Sequence, residues 1–170
     1  MIDSDIRFAL SADADERTTL TTFLDFHRET LARKCAGLSD EQLRRRAVPA
    51  SELTLIGLMR HLAAVERWYL QVIIAGEQPP ELFGGGGDPE ADLRDIGAAT
   101  GEATFALWRA QLAHSRRITA AHPLDAVGAN PGRGQDHSHR WVLQHLIDEY
   151  ARHNGHADLL REAVDGQVGE

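Results

Sequence analysis

The sequence predicts an all-α protein, and more specifically a four-helix bundle. Four long segments carry apolar residues at the spacing of one helix face, and the alternating pattern of strands is nearly absent. Long connections separate these segments, which permits crossover connections instead of a simple up-and-down order. A chain of 170 residues suits one domain, so we expect residues 1–170 to form a single domain with 1–12 as a loose arm.

The first two long helices are expected in the N-terminal half. Residues 13–36 carry a helical apolar stripe, and Gly37 is a suitable stop. Ser39 followed three residues later by Gln42 matches a capping box and predicts a short helix. The second long helix is expected over residues 52–75.

The third long helix is expected from residue 89 to about 121, because Asp88 and Pro89 form a good N-cap and first-turn pair. It follows the glycine run at 84–87, which we interpret as a flexible linker, since no Lys-Ser or Lys-Thr follows to complete a phosphate loop.

Ser138 is suited to cap the fourth helix, expected over residues 139–164 and ended by Gly166. The connection before it, residues 122–138, is long enough to suggest a functional loop.

Composition excludes some classes of function. The net charge of 18 − 26 = −8 argues against a nucleic-acid partner. We expect neither a signal peptide nor a membrane span, and therefore a cytoplasmic protein.

The single cysteine, Cys35, excludes an internal disulfide and is expected to be a packed small residue. Nine histidines hint at metal or proton chemistry.

The fourth helix carries a stripe of ionisable residues. His145, Glu149, His153 and His156 fall within about 80° of one another and lie beside apolar residues that point to the core. Such a stripe is costly unless something compensates it, and a bound cation would do so. His145 and His153 are about 12 Å apart along the axis, so one ion cannot use the whole stripe. Each adjacent pair of the stripe therefore remains a candidate pair of ligands: His145 with Glu149, Glu149 with His153, or His153 with His156.

The facing ligand is expected to be His61, on the core side of the second helix. Two imidazoles and one carboxylate with a free position form the pattern of a catalytic metal site. A ligating histidine needs a partner for its second nitrogen, for which Asp148 or Asp158 is suitable.

Other polar and aromatic residues receive simpler interpretations. His137 and His139 are expected to be exposed, with a role over the site as the alternative. Arg60 and Arg152 are expected on solvated faces, although either could attract an acidic substrate. We do not assign Glu66 as a general base. We expect the aromatic residues to lie in the core or at a dimer interface, and not to form a surface on which a ligand stacks. These residues are Trp68, Tyr69, Trp108 and Trp141.

Two stretches resemble the DinB-like superfamily, which includes the mycothiol-dependent maleylpyruvate isomerase and bacillithiol transferases. They read LTLIGLMRHLAAVERWY at 53–69 and RWVLQHLIDEYARHNGHADLLRE at 140–162. Many members carry a histidine on the second helix and His-x3-His on the fourth, and the isomerase branch has glutamate in the first position of that pair. The resemblance therefore implies His61, Glu149 and His153 as metal ligands, with His145 and His156 as neighbours or proton relays.

The resemblance implies a DinB-type bundle, a divalent metal (zinc, or else nickel) and a homodimer. It also suggests a mycothiol-type thiol S-transferase or isomerase acting on a small thiol and an electrophile. The alternative is a non-catalytic bundle in which the ion has a structural or interaction role.

Overall fold

The computed structural model describes residues 11–83, 91–131 and 134–169 and is mainly helical, which confirms the all-α prediction. None of the helices in these ranges is long and apolar enough to cross a membrane. Of the arm expected at 1–12, residues 1–10 lie outside the described ranges. The elements are α1 (Glu16–Cys35), α2 (Asp40–Leu43), α3 (Leu55–Glu66) running into a π-helix (Arg67–Ile74), α4 (Ala91–Arg94), α5 (Gly101–Ala121), β1 (Val127–Ala129), β2 (Asp136–Ser138) and α6 (His139–Asp165).

Local side-chain caps define the helix ends. The Ser39 hydroxyl accepts from the Gln42 amide while the Gln42 side chain accepts from the Ser39 amide, which confirms the capping box. Ser138 caps α6 by accepting from the Trp141 amide, and Gly166 ends that helix with a left-handed φ of 81°. The predicted start and stop of the fourth helix are therefore confirmed.

The prediction of one continuous third helix is wrong. The chain forms α4, leaves the helix, and starts again at α5. Gly97 has φ 44°, a left-handed value that interrupts a right-handed helix, and Thr100 then caps α5. Asp40 Oδ1 also accepts from the Gly101 amide at 2.7 Å and fixes the new start. The expected cap at Asp88 and Pro89 and the glycine linker at 84–87 lie outside the described residues.

A short β-hairpin corrects the expectation that no sheet forms. β1 and β2 pair antiparallel, with Gly128 opposite His137. Each strand has only three residues, too few to display an alternating pattern. The hairpin packs on the π-helix so closely that a Cβ atom at Gly128 would collide with the carbonyl of Ile73. A glycine is therefore required for this contact.

The strongest helix pairings join α1 with α6 and α3 with α5, while α6 also packs against α3. The core between them is mainly leucine, and Cys35 is buried in it as predicted. A buried ion pair also joins α1 to α3, where Arg28 donates to both carboxylate oxygens of Glu66 at 2.7 and 2.8 Å. The packing of α3 against α6 is what positions the site.

Candidate metal centre

Three side chains from two helices converge at the contact between α3 and α6. His61 Nε2 lies 3.9 Å from Glu149 Oε2, and His153 Nε2 lies 3.5 Å from the same oxygen. The three potential ligand atoms lie within 4.8 Å of one another. The structure therefore brings together the middle pair of the stripe and the histidine expected to face it.

The core residues around these side chains explain the convergence. On α3, His61 is flanked by Leu58 and Leu62, both fully buried, so its helix face turns inward. On α6, Leu146 and Tyr150 are equally buried, and Glu149 and His153 are one helical turn apart. Apolar packing of the two helices thus brings the polar groups into one cluster.

Each imidazole of the cluster has a second polar group in contact with its Nδ1 atom, which orients the ring. His61 Nδ1 lies 3.0 Å from Asp92 Oδ2, and His153 Nδ1 lies 3.3 Å from His156 Nδ1. A proton on His61 Nδ1 leaves its Nε2 lone pair directed toward Glu149. The orienting partners are therefore Asp92 and His156.

The expectation of Asp148 or Asp158 as the orienting carboxylate is wrong. Asp148 pairs with Arg152 at 3.1 Å, and Asp158 pairs with Lys34 at 2.8 Å. Asp92 was missed because it comes from α4, a separate short helix whose position depends on tertiary packing. No spacing rule connects it to His61.

The second carboxylate oxygen of Glu149 faces away from the cluster. His145 Nε2 and Arg152 Nη1 each lie 3.8 Å from Glu149 Oε1. His145 is stacked on Trp141, with ring centroids 4.8 Å apart and 13° between the planes. His145 therefore neighbours the cluster through Glu149.

A column of stacked rings continues from His145 to the hairpin. His137 also stacks on Trp141, with ring centroids 4.2 Å apart and 15° between the planes, so two imidazoles stack on this indole. Trp141 and Trp68 are 43% and 38% exposed, so they lie outside the core and their dimer-interface alternative stays a prediction, whereas Trp108 is buried. The four-residue spacing of Trp141 and His145 on α6 predicts their contact, whereas His137 reaches Trp141 from β2 and no spacing rule predicts that.

The expected exposure of His137 and His139 is wrong. His137 is 8% exposed, within the ring column, and its Nε2 lies 3.2 Å from the side-chain nitrogen of Asn130. His139 is fully buried at the start of α6, with Nδ1 3.2 Å from the carbonyl oxygen of Pro123. His137 lies on the hairpin and His139 contacts the loop before it; a loop over residues 122–138 was expected, but the hairpin within it was not.

Burial favours the neutral form of two imidazoles at the site, His153 and His145. The pKa of His153 is lowered to about 4, first by burial and then by the neighbouring His61 and His156. Burial also lowers the pKa of His145, although Glu149 opposes this shift. A neutral imidazole is the form that binds a metal, so His153 needs to lose no proton at pH 7.

The residues fit a tetrahedral divalent ion. Zinc bonds of 2.0–2.1 Å to nitrogen and oxygen place adjacent ligand atoms roughly 3.4 Å apart. The observed separations of 3.5 and 3.9 Å require an adjustment of a few tenths of an ångström. Among the described residues, this group has only three potential ligands, which leaves one tetrahedral position for another molecule.

A second group of potential ligands comprises His145, Asp148 and Glu149. All three belong to α6, and the guanidinium of Arg152 already contacts both carboxylates. Since the cation of Arg152 fills the place of a metal ion there, the group containing His61 is the better metal site.

One further residue differs from its sequence interpretation. Arg60 is half-buried rather than solvated, since it donates to the carbonyl oxygens of Asp92 and Asp95. Glu66 is fully buried and bound to Arg28, so it is not available as a base. Arg152 is exposed, as predicted.

The fold and the site define a class of protein, namely all-α bundles with a His–Glu–His cluster between two helices. The family model for mycothiol S-transferases matches residues 19–166. The chain therefore belongs to the mycothiol S-transferase family, a group of DinB-like proteins.

A conserved protein from Enterococcus faecalis has a similar crystal structure, with a TM-score of 0.64 and 17% sequence identity. The match covers 87% of this chain and 96% of that one, which supports the fold alone. None of the curated proteins matches the chain significantly.

Proposed function

We propose that this protein is a metal-dependent S-transferase that uses a low-molecular-weight thiol of the mycothiol type. His61, Glu149 and His153 would hold a divalent ion, with zinc favoured and nickel as the alternative. The observation that carries the proposal is the approach of two imidazole nitrogens to one carboxylate oxygen, in a chain of this family.

When bound, a divalent cation lowers the pKa of a thiol and favours a thiolate near neutral pH. The surrounding residues prepare the site for this chemistry. Asp92 and His156 hold the two imidazoles in orientation, and His145 and Arg152 lie beside the outer oxygen of Glu149. These contacts reduce the rearrangement needed when substrate arrives.

In the transfer, the thiol loses its proton and its sulfur forms a C–S bond with an electrophilic carbon. A leaving group departs from that carbon with the bonding electrons. His145 and His156 are the candidates to accept this proton, because each lies beside one of the proposed ligands, Glu149 and His153 respectively. In an isomerisation, the thiol would add to the substrate and leave again.

The non-catalytic alternative needs a closed metal shell. His145 and His156 would have to supply the fourth ligand, yet neither belongs to the group of His61, Glu149 and His153. This arrangement supports an open position and therefore catalysis. A homodimer, which the resemblance implies, remains part of the proposal.

A conjugation assay tests the function. Protein loaded with zinc or nickel is mixed with monochlorobimane and, in separate reactions, mycothiol, glutathione and cysteine. We expect accelerated conjugation of mycothiol, loss of the acceleration with a chelator, and its return when metal is added. Rates equal to the uncatalysed reaction for every thiol would contradict the proposal.

A further inference from the structure

A cavity of about 350 Å³ lies beside the cluster, between α3 with its π-helix and the segment 79–83. This volume is within the range of small-molecule sites. Its apolar lining includes Ala64, Trp68, Leu82 and Phe83, and its charged lining residues are Arg67, Glu81 and Asp92. None of them is among the three proposed metal ligands.

The walls of the cavity are held in place by the protein itself. The guanidinium of Arg60 lies 3.9 Å from the ring centroid of Phe83. Arg60 also donates to the carbonyl oxygens of Asp92 and Asp95, at 3.2 and 2.8 Å. One side chain thus ties the covering segment and α4 to α3, so the cavity exists before any ligand binds.

The lining is largely apolar and aromatic, and Arg67 is its cation. Arg67 donates from Nε to the side-chain oxygen of Gln111 at 3.1 Å and from Nη1 to the carbonyl oxygen of Pro80. Both acceptors are neutral, and within the described residues no carboxylate forms an ion pair with this guanidinium.

Burial lowers the pKa of Arg67, although the charge of Glu77 opposes this shift. The nearby Glu77 is itself paired with His114 at 3.0 Å, and Glu81 is exposed. A partly buried guanidinium without a bound anion is well suited to a ligand carboxylate, which would restore its lost hydration and charge balance.

The cavity communicates with the metal cluster through one residue. Asp92 lines the cavity and also lies 3.0 Å from His61 Nδ1. Asp92 is therefore the point where the cavity borders the cluster, and a ligand that extends along its carboxylate approaches His61.

We propose that this cavity binds the acceptor substrate, a flat apolar molecule with a carboxylate or similar anionic group that pairs with Arg67. This inference rests on the proposed transferase function for the role of the ligand, but not for its binding.

Binding is tested by calorimetric titration of the metal-free protein with 2-naphthoate and with its neutral analogue 2-naphthamide. We expect saturable binding of naphthoate and at least tenfold weaker binding of the amide. Ala64→Leu fills the cavity and should abolish binding of both, while Ala110→Leu, on an exposed face of α5, should leave it unchanged. Absent naphthoate binding, equal affinities for acid and amide, or unchanged affinity in Ala64→Leu would overturn the proposal.

The acceptor role has a separate readout. With 4-(bromomethyl)benzoate as electrophile, Ala64→Leu should raise the KM for the electrophile at least tenfold and leave metal content and the KM for the thiol unchanged. An unchanged electrophile KM would overturn the acceptor role. If naphthoate binds but no thiol is conjugated, the transferase proposal fails and the anion site remains.

Discussion

At the scale of single residues, Asp92 is the most consequential neighbour of the metal cluster. Its carboxylate oxygen lies 3.0 Å from His61 Nδ1, which selects the tautomer with a free Nε2. It is also the residue shared by the cluster and the adjacent cavity.

Asp92→Asn should therefore weaken metal binding by about 10- to 100-fold, since an amide orients the imidazole less firmly and removes a charge. Competition with a chromophoric chelator measures the affinity. Asp95→Asn is the matched control, because Asp95 is exposed and its hydrogen bond with Arg60 uses the backbone carbonyl, which the substitution keeps. Equal affinities in wild type and Asp92→Asn would show that this contact does not tune the site.

Sequence spacing could place Glu149 and His153 on one helix face, because residues four apart share a face, but it left every adjacent pair of the stripe open, and the resemblance selected this pair. His61 could be placed on the inner face of its own helix, and the resemblance selected it as the partner. Asp92 and the covering of His137 could not be predicted, because both depend on how separate short elements pack.

At the scale of elements, the ion pair between Arg28 and Glu66 joins α1 to α3 within the core. Their side chains are 5% and 0% exposed. Burial lowers the pKa of Arg28, but the carboxylates of Glu66 and Asp25 outweigh this effect and keep the guanidinium charged. Removing one partner would leave the other charge buried alone.

Arg28→Met should lower the free energy of unfolding by about 3–5 kcal/mol, the usual cost of an uncompensated buried charge. Arg116→Gln removes an exposed pair with Asp25 and should cost less than about 1 kcal/mol. Urea unfolding at pH 7.5 measures both. If both variants lose a similar amount of free energy of unfolding, the buried ion pair stabilises the fold no more than the exposed pair does.

The long helices were predictable from apolar periodicity and caps, which are local properties. The break before α5 was not, because Asp40 from a distant segment helps to fix its start. The π-helix was also missed, since its apolar residues fit an ordinary helical stripe equally well.

At the scale of the whole molecule, the buried histidines make stability depend on pH. Burial lowers the pKa of His27, His139, His145 and His153. Below the unfolded value of about 6.5, the unfolded chain therefore binds more protons than the folded one. Their contribution is fully present above that value and is lost as the pH falls toward 4.

Metal-free protein should accordingly become less stable between pH 7 and pH 4.5, as measured by urea unfolding in the presence of a chelator. His153→Gln should reduce this slope, because its pKa of about 4 gives it the widest titration window of the four. A free energy of unfolding that stays constant over this range would contradict the burial of neutral imidazoles.

The most direct test of the account is the metal stoichiometry of wild type and His61→Ala. After loading with zinc and removal of unbound ion, elemental analysis should find one ion per wild-type chain and none in the variant. Circular dichroism should report the same helix content in both, since His61 contributes to the cluster and not to the apolar core. Wild-type protein without metal, or a variant that retains its ion, would contradict the assignment of His61, Glu149 and His153 as the metal centre.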